Sequence, residues 1–177
     1  MKIKENGKAK ALFFSDKVYS NSLKAFELYK SKSFGEKKED KIIYSFVEAL
    51  YLLEKKELDI FYKNKRLSFD EFLKVVSKKD ANFLIKYQVF SDLRKKGYIV
   101  KSALKFGADF RVYDKFVKPG KGHSKWIAFC VKESSKINWQ DFSAKNRLAH
   151  STKKNLLIAL VDEEGDVSYY EVKWIKP

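Results

Sequence analysis

The sequence predicts an α+β amino-terminal domain over residues 1–80, followed by an α/β carboxy-terminal domain over residues 81–177 whose mixed sheet is flanked by helices. Three observations predict it. Two capping boxes mark helix starts in the first half. Strand and helix signals alternate from Asn82 onward. The run Leu156 to Val161 is apolar throughout, as a strand buried on both faces must be.

Taken in order, ALFF and KVYS read as short strands, and SLKAFELY as a strand or a short helix. KSKSFGEKKEDK is polar and charged and reads as a solvated loop. Ser45 stands three residues before Glu48, and Ser68 three before Glu71. In each box the hydroxyl and the carboxylate satisfy backbone N–H groups that the helix start leaves without partners. Tyr44 with Ala49 makes a weak hydrophobic staple, and Leu67 with Phe72 a stronger one. LDIFYKNKRL reads as a hairpin around Lys63-Asn64-Lys65. The amino-terminal elements end near Ser77.

A third helix is expected over Asn82 to Lys96, with Phe83, Tyr87 and Phe90 on one face and Gly97 as its stop. Strands follow at Tyr98 to Ser102, Phe110 to Tyr113 and Trp126 to Val131. A helix is expected from Trp139 to about Ser151, then the central strand Leu156 to Val161. After a tight turn the last strand is expected over Val167 to Ile175, with Tyr170, Val172 and Trp174 alternating against Glu171 and Lys173.

Hydrophobic residues make up 45% of the 177, which excludes bulk disorder. Lys and Arg total 38 against 23 acids, a formal net charge of +15. With 16% aromatics, this excess favours a polyanionic partner over a merely solubilising surface. The single cysteine, Cys130, cannot form an internal disulfide and ends an apolar run, so it reads as a core residue of an intracellular, cytoplasmic protein. MKIKENGKAK lacks the apolar stretch of a signal peptide, and no segment approaches the ~18 apolar residues of a membrane span. No Cys/His cluster has zinc spacing.

Three residues have the chemistry to cleave RNA without a metal or cofactor. They are Tyr113 at a strand end, His123 in the basic loop KPGKGHSKW, and Lys154 before the apolar strand. One group takes the proton of a ribose 2′-OH, a second protonates the leaving 5′-oxygen, and a cation holds the charge that builds on the phosphorus oxygens. A phenol titrates near pH ~10 and needs a neighbouring cation to serve as the base. An imidazole can donate a proton near neutrality. His150, at a helix end beside Leu148 and Ala149, reads as structural.

The strings LRKKGYIVKSALKFGADFRVY and RLAHSTKKNLLIALVD, with the acidic EEGD after them, resemble the archaeal tRNA-splicing endonucleases. The resemblance runs from about Leu93 to Pro177; upstream, only SFVEALYLLE is similar to the family. It implies Tyr113 as the base, His123 as the acid and Lys154 as the electrostatic stabiliser. It implies a precursor-tRNA substrate with a bulge-helix-bulge shape, cut to a 2′,3′-cyclic phosphate and a 5′-hydroxyl. Arg147 matches an arginine that stacks on a bulged base, and Trp174 is a candidate to contact RNA or simply to pack. The acidic turn Asp162, Glu163, Glu164, Asp166 matches a loop that docks into a neighbouring subunit, in a homotetramer or in a heterotetramer with a structural subunit. Two rival readings stand beside this one. One is a metal-dependent DNA nuclease using Asp109 with the EVK run Glu171 to Lys173. The other is a noncatalytic RNA-binding subunit.

Overall fold

A computed structural model describes residues 7–175. The chain divides into two compact units, the first ending at Phe83 and the second beginning at Leu84.

The first unit is built on a six-stranded sheet. Its strands are β1 (Ala9–Phe14), β2 (Lys17–Ser20), β3 (Glu36–Lys38), β4 (Lys41–Tyr44), β5 (Leu58–Tyr62) and β6 (Lys65–Arg66). Their order is β3-β4-β2-β1-β5-β6, antiparallel except for the parallel pair β1 and β5. SLKAFELY resolves as a helix, α1 (Leu23–Lys32), whose first turn is capped by the Ser22 side chain. The strand β1 alternates strictly: Ala9, Ala11 and Phe13 are buried, while Lys10, Leu12 and Phe14 are exposed. Phe13 packs edge-on against Phe46 and Phe72, with ring centroids 5.9 and 5.6 Å away. Those rings belong to α2 (Phe46–Glu54) and α3 (Phe69–Ser77).

Both capping boxes form, at Ser45 with Glu48 and at Ser68 with Glu71. Glu71 is held down to about pKa 2 by its hydrogen bond with Lys65 and by the Ser68 backbone. The hairpin turns at Lys63 and Asn64, both with positive φ (46° and 64°), as a two-residue turn between twisted strands requires.

The charged segment read as a loop is in part a strand. Glu36–Lys38 pairs with Lys41–Tyr44 across a turn at Glu39 and Asp40. All three residues of β3 are exposed, so no apolar periodicity announces it, and their charge suits an unpaired sheet edge.

The second unit carries α4 (Phe83–Lys95), β7 (Ile99–Ser102), a 3₁₀ turn at Leu104–Phe106, β8 (Phe110–Tyr113), β9 (Trp126–Lys132), α5 (Trp139–Ser151), β10 (Asn155–Val161) and β11 (Val167–Val172). The sheet order is β11-β10-β9-β8-β7, with β9 and β10 parallel and every other neighbour antiparallel. A parallel pair needs a crossover, and α5 supplies it. It buries Ala149 against Ile127, Phe129 and Leu156, with Phe142 and Leu148 alongside. The helix α4 serves the opposite face, where Phe90 meets Phe110 at 6.0 Å.

Three features differ from expectation. The apolar strand β10 is interior but lies one place from the edge, between β9 and β11. Cys130 is only half-buried. The last strand stops at Val172, three residues short of Ile175. Its register ends with Leu156 opposite Val172, and β10 has only Asn155 left beyond that point. The alternation of the sequence continues, but the partner strand does not, so Trp174 lies outside the sheet.

Glu48 ties the first unit together. Although it is only 3% exposed, its carboxylate accepts hydrogen bonds from Gly35 N–H (2.9 Å), Ser45 N–H (3.0 Å) and Ser45 Oγ–H (2.8 Å). Gly35 has φ +74°, and a Cβ there would drive into the Ile42 side chain. Each buried donor left without its acceptor costs about 1–3 kcal/mol. Glu48→Ala is therefore expected to destabilise the protein by about 2–6 kcal/mol, the sum over the two backbone donors, Gly35 N–H and Ser45 N–H. Urea denaturation monitored by circular dichroism checks it.

Candidate active site

Tyr113 and Lys154 are brought to one end of the second sheet by register alone. Val112 on β8 pairs with Trp126 on β9, and Trp126 pairs with Asn155 on β10. One step outward along each strand stand Tyr113, Lys125 and Lys154. The backbone links continue through that step: Lys125 N–H donates to the Val112 carbonyl (2.9 Å) and Asn155 N–H to the Lys125 carbonyl (3.0 Å). The strands β8 and β10 are separated by one strand, so the backbones at Tyr113 and Lys154 lie roughly 10 Å apart.

The side chains share a face as well. Arg111 pairs with Ile127, and Ile127 with Leu156, all on the side covered by α5. Tyr113 follows Arg111 by two residues and Lys154 precedes Leu156 by two, so strand alternation puts both on that side. Tyr113 is buried, with 6% of its surface exposed. Lys154 is half-buried and donates from Nζ to the Thr152 carbonyl at 2.8 Å. Burial, and then the positive charge of Arg111, hold the Lys154 ammonium below its ordinary pKa.

His123 sits on the loop between β8 and β9, three residues before Trp126, and is exposed. The loop is pinned rather than open. The Lys118 carbonyl accepts from Lys121 N–H (3.0 Å) and Gly122 N–H (3.2 Å), and Gly120 takes φ +84°. A Cβ at Gly122 would come within 2.6 Å of the Val117 side chain, so the turn preceding His123 requires glycine there. The loop therefore tethers His123 to the sheet end that carries Tyr113 and Lys154.

Arg147 is exposed on α5, one helical turn before His150. Trp174 is 60% exposed, and its ring stands edge-on to His150 at 4.2 Å and 87°. Trp174 is thus neither a packed strand residue nor isolated: it borders the helix surface that carries Arg147. His150 is not buried by Leu148 and Ala149; it is exposed and supports Trp174.

The acidic turn joins β10 to β11. Asp162 Oδ1 accepts from Asp166 N–H at 2.8 Å, which closes the turn, while Glu163, Glu164 and Asp166 are exposed. Gly165 has φ +91°, and a Cβ there would meet the Gln88 amide of α4 at 2.6 Å. The turn is thereby held against the body of the unit.

The carboxylates of the rival metal-nuclease reading serve the fold. Asp109 accepts from Cys130 N–H at 2.9 Å and pairs with Lys86 at 3.3 Å. Glu171 accepts from Trp126 Nε1–H (2.6 Å) and Asn155 Nδ2–H (3.1 Å) and pairs with Lys173 (2.9 Å). The indole bond first, and then Lys173, lower the pKa of Glu171. Sequence reasoning overlooked Arg111, although strand alternation alone puts it beside Tyr113.

Comparison with known proteins identifies the family of the chain. Residues 83–169 match the family model described as tRNA intron endonuclease, catalytic C-terminal domain. Residues 9–73 match tRNA intron endonuclease, N-terminal domain, so the similarity extends far upstream of Leu93, where the sequence alone showed little. The chain is 46% identical over 162 residues to the tRNA-splicing endonuclease of Pyrococcus horikoshii, covering 91% of this chain and 93% of that one. It is 46% identical over 137 residues to that of Nanoarchaeum equitans, covering 74% and 88%. With that of Methanothermobacter thermautotrophicus it shares 37% over 153 residues, covering 86% and 89%. A matched catalytic domain, a matched amino-terminal domain and near full-length identity agree: the chain belongs to the tRNA-splicing endonuclease family.

Proposed function

We propose that this protein cleaves precursor tRNA at bulge-helix-bulge intron–exon junctions, with Tyr113, His123 and Lys154 as its catalytic residues. The observation that carries the reading is the common sheet end at which β8, β10 and the loop before β9 present the three residues. The substrate's own 2′-OH attacks the adjacent phosphorus. Tyr113 takes the hydroxyl proton, and His123 gives a proton to the 5′-oxygen as the P–O bond breaks. Lys154 stabilises the charge on the non-bridging oxygens. The products are a 2′,3′-cyclic phosphate and a 5′-hydroxyl, so proton and phosphorus balance without water, metal or cofactor.

RNA offers few readable base edges in its deep major groove, so recognition rests on shape and on unstacked bases. The exposed Arg147 guanidinium, one helical turn before the His150 that meets Trp174, suits stacking on a bulged base. The exposed acids of the turn suit docking into a basic surface of another subunit, in a homotetramer or with a structural partner. A cytoplasmic setting fits a precursor-tRNA substrate. Among the described residues no helix is long and apolar enough to cross a membrane.

The direct test is incubation of the purified protein alone with intron-bearing precursor tRNA in EDTA. Excision with cyclic-phosphate ends is the expected result. Cleavage only after Mg²⁺ is restored would overturn the reading. Within that assay His123→Ala should slow the single-turnover step by roughly 10²–10⁴-fold with RNA binding retained. His150→Ala should leave the chemical step nearly intact. Equal losses at the two positions would remove His123 from the role of acid.

Assembly has its own readout. Glu163→Lys with Glu164→Lys leaves the Asp162–Asp166 closure of the turn in place. It should shift the particle to lower mass in light scattering with an unchanged melting curve for the subunit. An unchanged mass would count against the docking role.

A further inference from the structure

Arg111 occupies a place that the proposed chemistry leaves without a role. It lies two residues before Tyr113 on β8, half-buried, on the face shared with Lys154. Its Nε–H donates to the Ser102 carbonyl at 3.3 Å, and its guanidinium carbon lies 5.6 Å from the centre of the Phe106 ring. These contacts fix the plane of the group and leave its two terminal amino groups uncommitted.

The charge around Arg111 is unbalanced. Other cations of the unit have carboxylate partners: Lys86 with Asp109 (3.3 Å), Lys96 with Asp92 (2.6 Å) and Lys125 with Asp114 (3.4 Å). Among the described residues Arg111 and Lys154 form no ion pair. The two charges repel: burial, and then the charge of Arg111, lower the affinity of Lys154 for its proton. A bound anion on this face relieves that repulsion, and the anion that a nuclease brings there is a phosphodiester.

We propose that Arg111 and Lys154 form a two-cation clamp on the RNA backbone, with Arg111 binding the phosphodiester next to the one that is cleaved. The inference rests on the reading of Tyr113, His123 and Lys154 as the catalytic residues. A planar, fork-shaped donor pair matches two oxygens of one phosphate, which a lysine at the same position cannot reproduce. The Ser102 and Phe106 contacts supply the preorganisation that such a clamp needs. Arg111 thereby sets the register of the strand, so that the scissile phosphate falls between Tyr113 and Lys154.

The test uses the full-length protein and a bulged RNA under single-turnover conditions. Arg111→Gln should lower kcat/KM by about ten- to a hundredfold, the range for losing a charge-assisted hydrogen bond. The slope of log affinity against log salt should flatten by about 0.7, one phosphate contact on a single strand. Arg111→Lys should recover the salt slope but only part of the rate. An RNA with one uncharged methylphosphonate beside the cleavage site should impair the wild type as Arg111→Gln does. It should add little to that variant, because the two changes delete one contact. A folded Arg111→Gln protein with wild-type kcat/KM and salt slope overturns the clamp. So does full additivity of the methylphosphonate with Arg111→Gln. If Arg111→Gln does not fold, the methylphosphonate series on the wild type decides: insensitivity at both phosphates flanking the cut overturns the proposal. Wild-type cleavage in the same assay reports on the catalytic trio separately, since a clamp failure leaves it intact.

Discussion

The parallel pairing of β9 with β10 is the constraint on which the proposed active site depends. Seven consecutive register pairs, from Trp126–Asn155 to Lys132–Val161, fix where β10 begins relative to β9. The antiparallel pairing of β8 with β9 then fixes where β8 ends. Tyr113 and Lys154 are 41 positions apart in the chain, yet both come to the same sheet end because these two ladders share β9. A slip of one residue in either ladder would turn one side chain to the opposite face. The packing of Leu156 against Ala149 on the α5 face opposes that slip.

A parallel pair cannot be closed by a hairpin, so the crossover α5 is a consequence of the same constraint. It also determines what surrounds the site. Its buried side, through Ala149, holds the sheet. Its last turn hands the chain directly to Lys154, whose N–H donates to the Ala149 carbonyl at 2.9 Å. The exposed side of the same helix carries Arg147 and His150, and His150 supports Trp174. One helix thus couples sheet register, the position of the proposed catalytic cation and the proposed RNA-facing surface. Loss of packing at Ala149 would disturb all three together.

Much of this was legible in the sequence, for reasons that can be named. The capping boxes at Ser45 and Ser68 are local, so four residues suffice to place a helix start. The Lys63-Asn64 turn and the strand end at Tyr113 are equally local. What escaped was set by partners distant in sequence. The exposed β3 has no apolar pattern, and it exists because β4 offers an edge. The last strand ends where β10 ends, which its own alternation does not reveal. Trp174 reads as either packed or RNA-contacting until that end is known. The family similarity of the amino-terminal unit was also faint in the sequence. Its core positions, such as Ala9, Ala11 and Phe13, constrain size and polarity but carry no chemistry that marks a family.

The net charge of +15 acquires meaning only when it is resolved into pairs. A solubilising surface and a polyanion-binding surface give the same sum. They differ in whether individual cations have carboxylates beside them. Arg66 is held by Asp59 at 2.6 Å and Lys96 by Asp92 at 2.6 Å, so these charges serve the fold and are largely neutralised where they stand. Among the described residues Arg111 and Lys154, on one half-buried sheet face, form no ion pair. Desolvation makes that arrangement less favourable than the same charges in open solvent. A fold selected for stability alone would place an acid or an apolar residue there. With the proposed clamp, the sheet end is preorganised for an anion that arrives from outside, and its repulsion is relieved when a phosphate binds between the cations. The same preorganisation favours a transition state that carries more negative charge on the phosphorus oxygens than the ground state does.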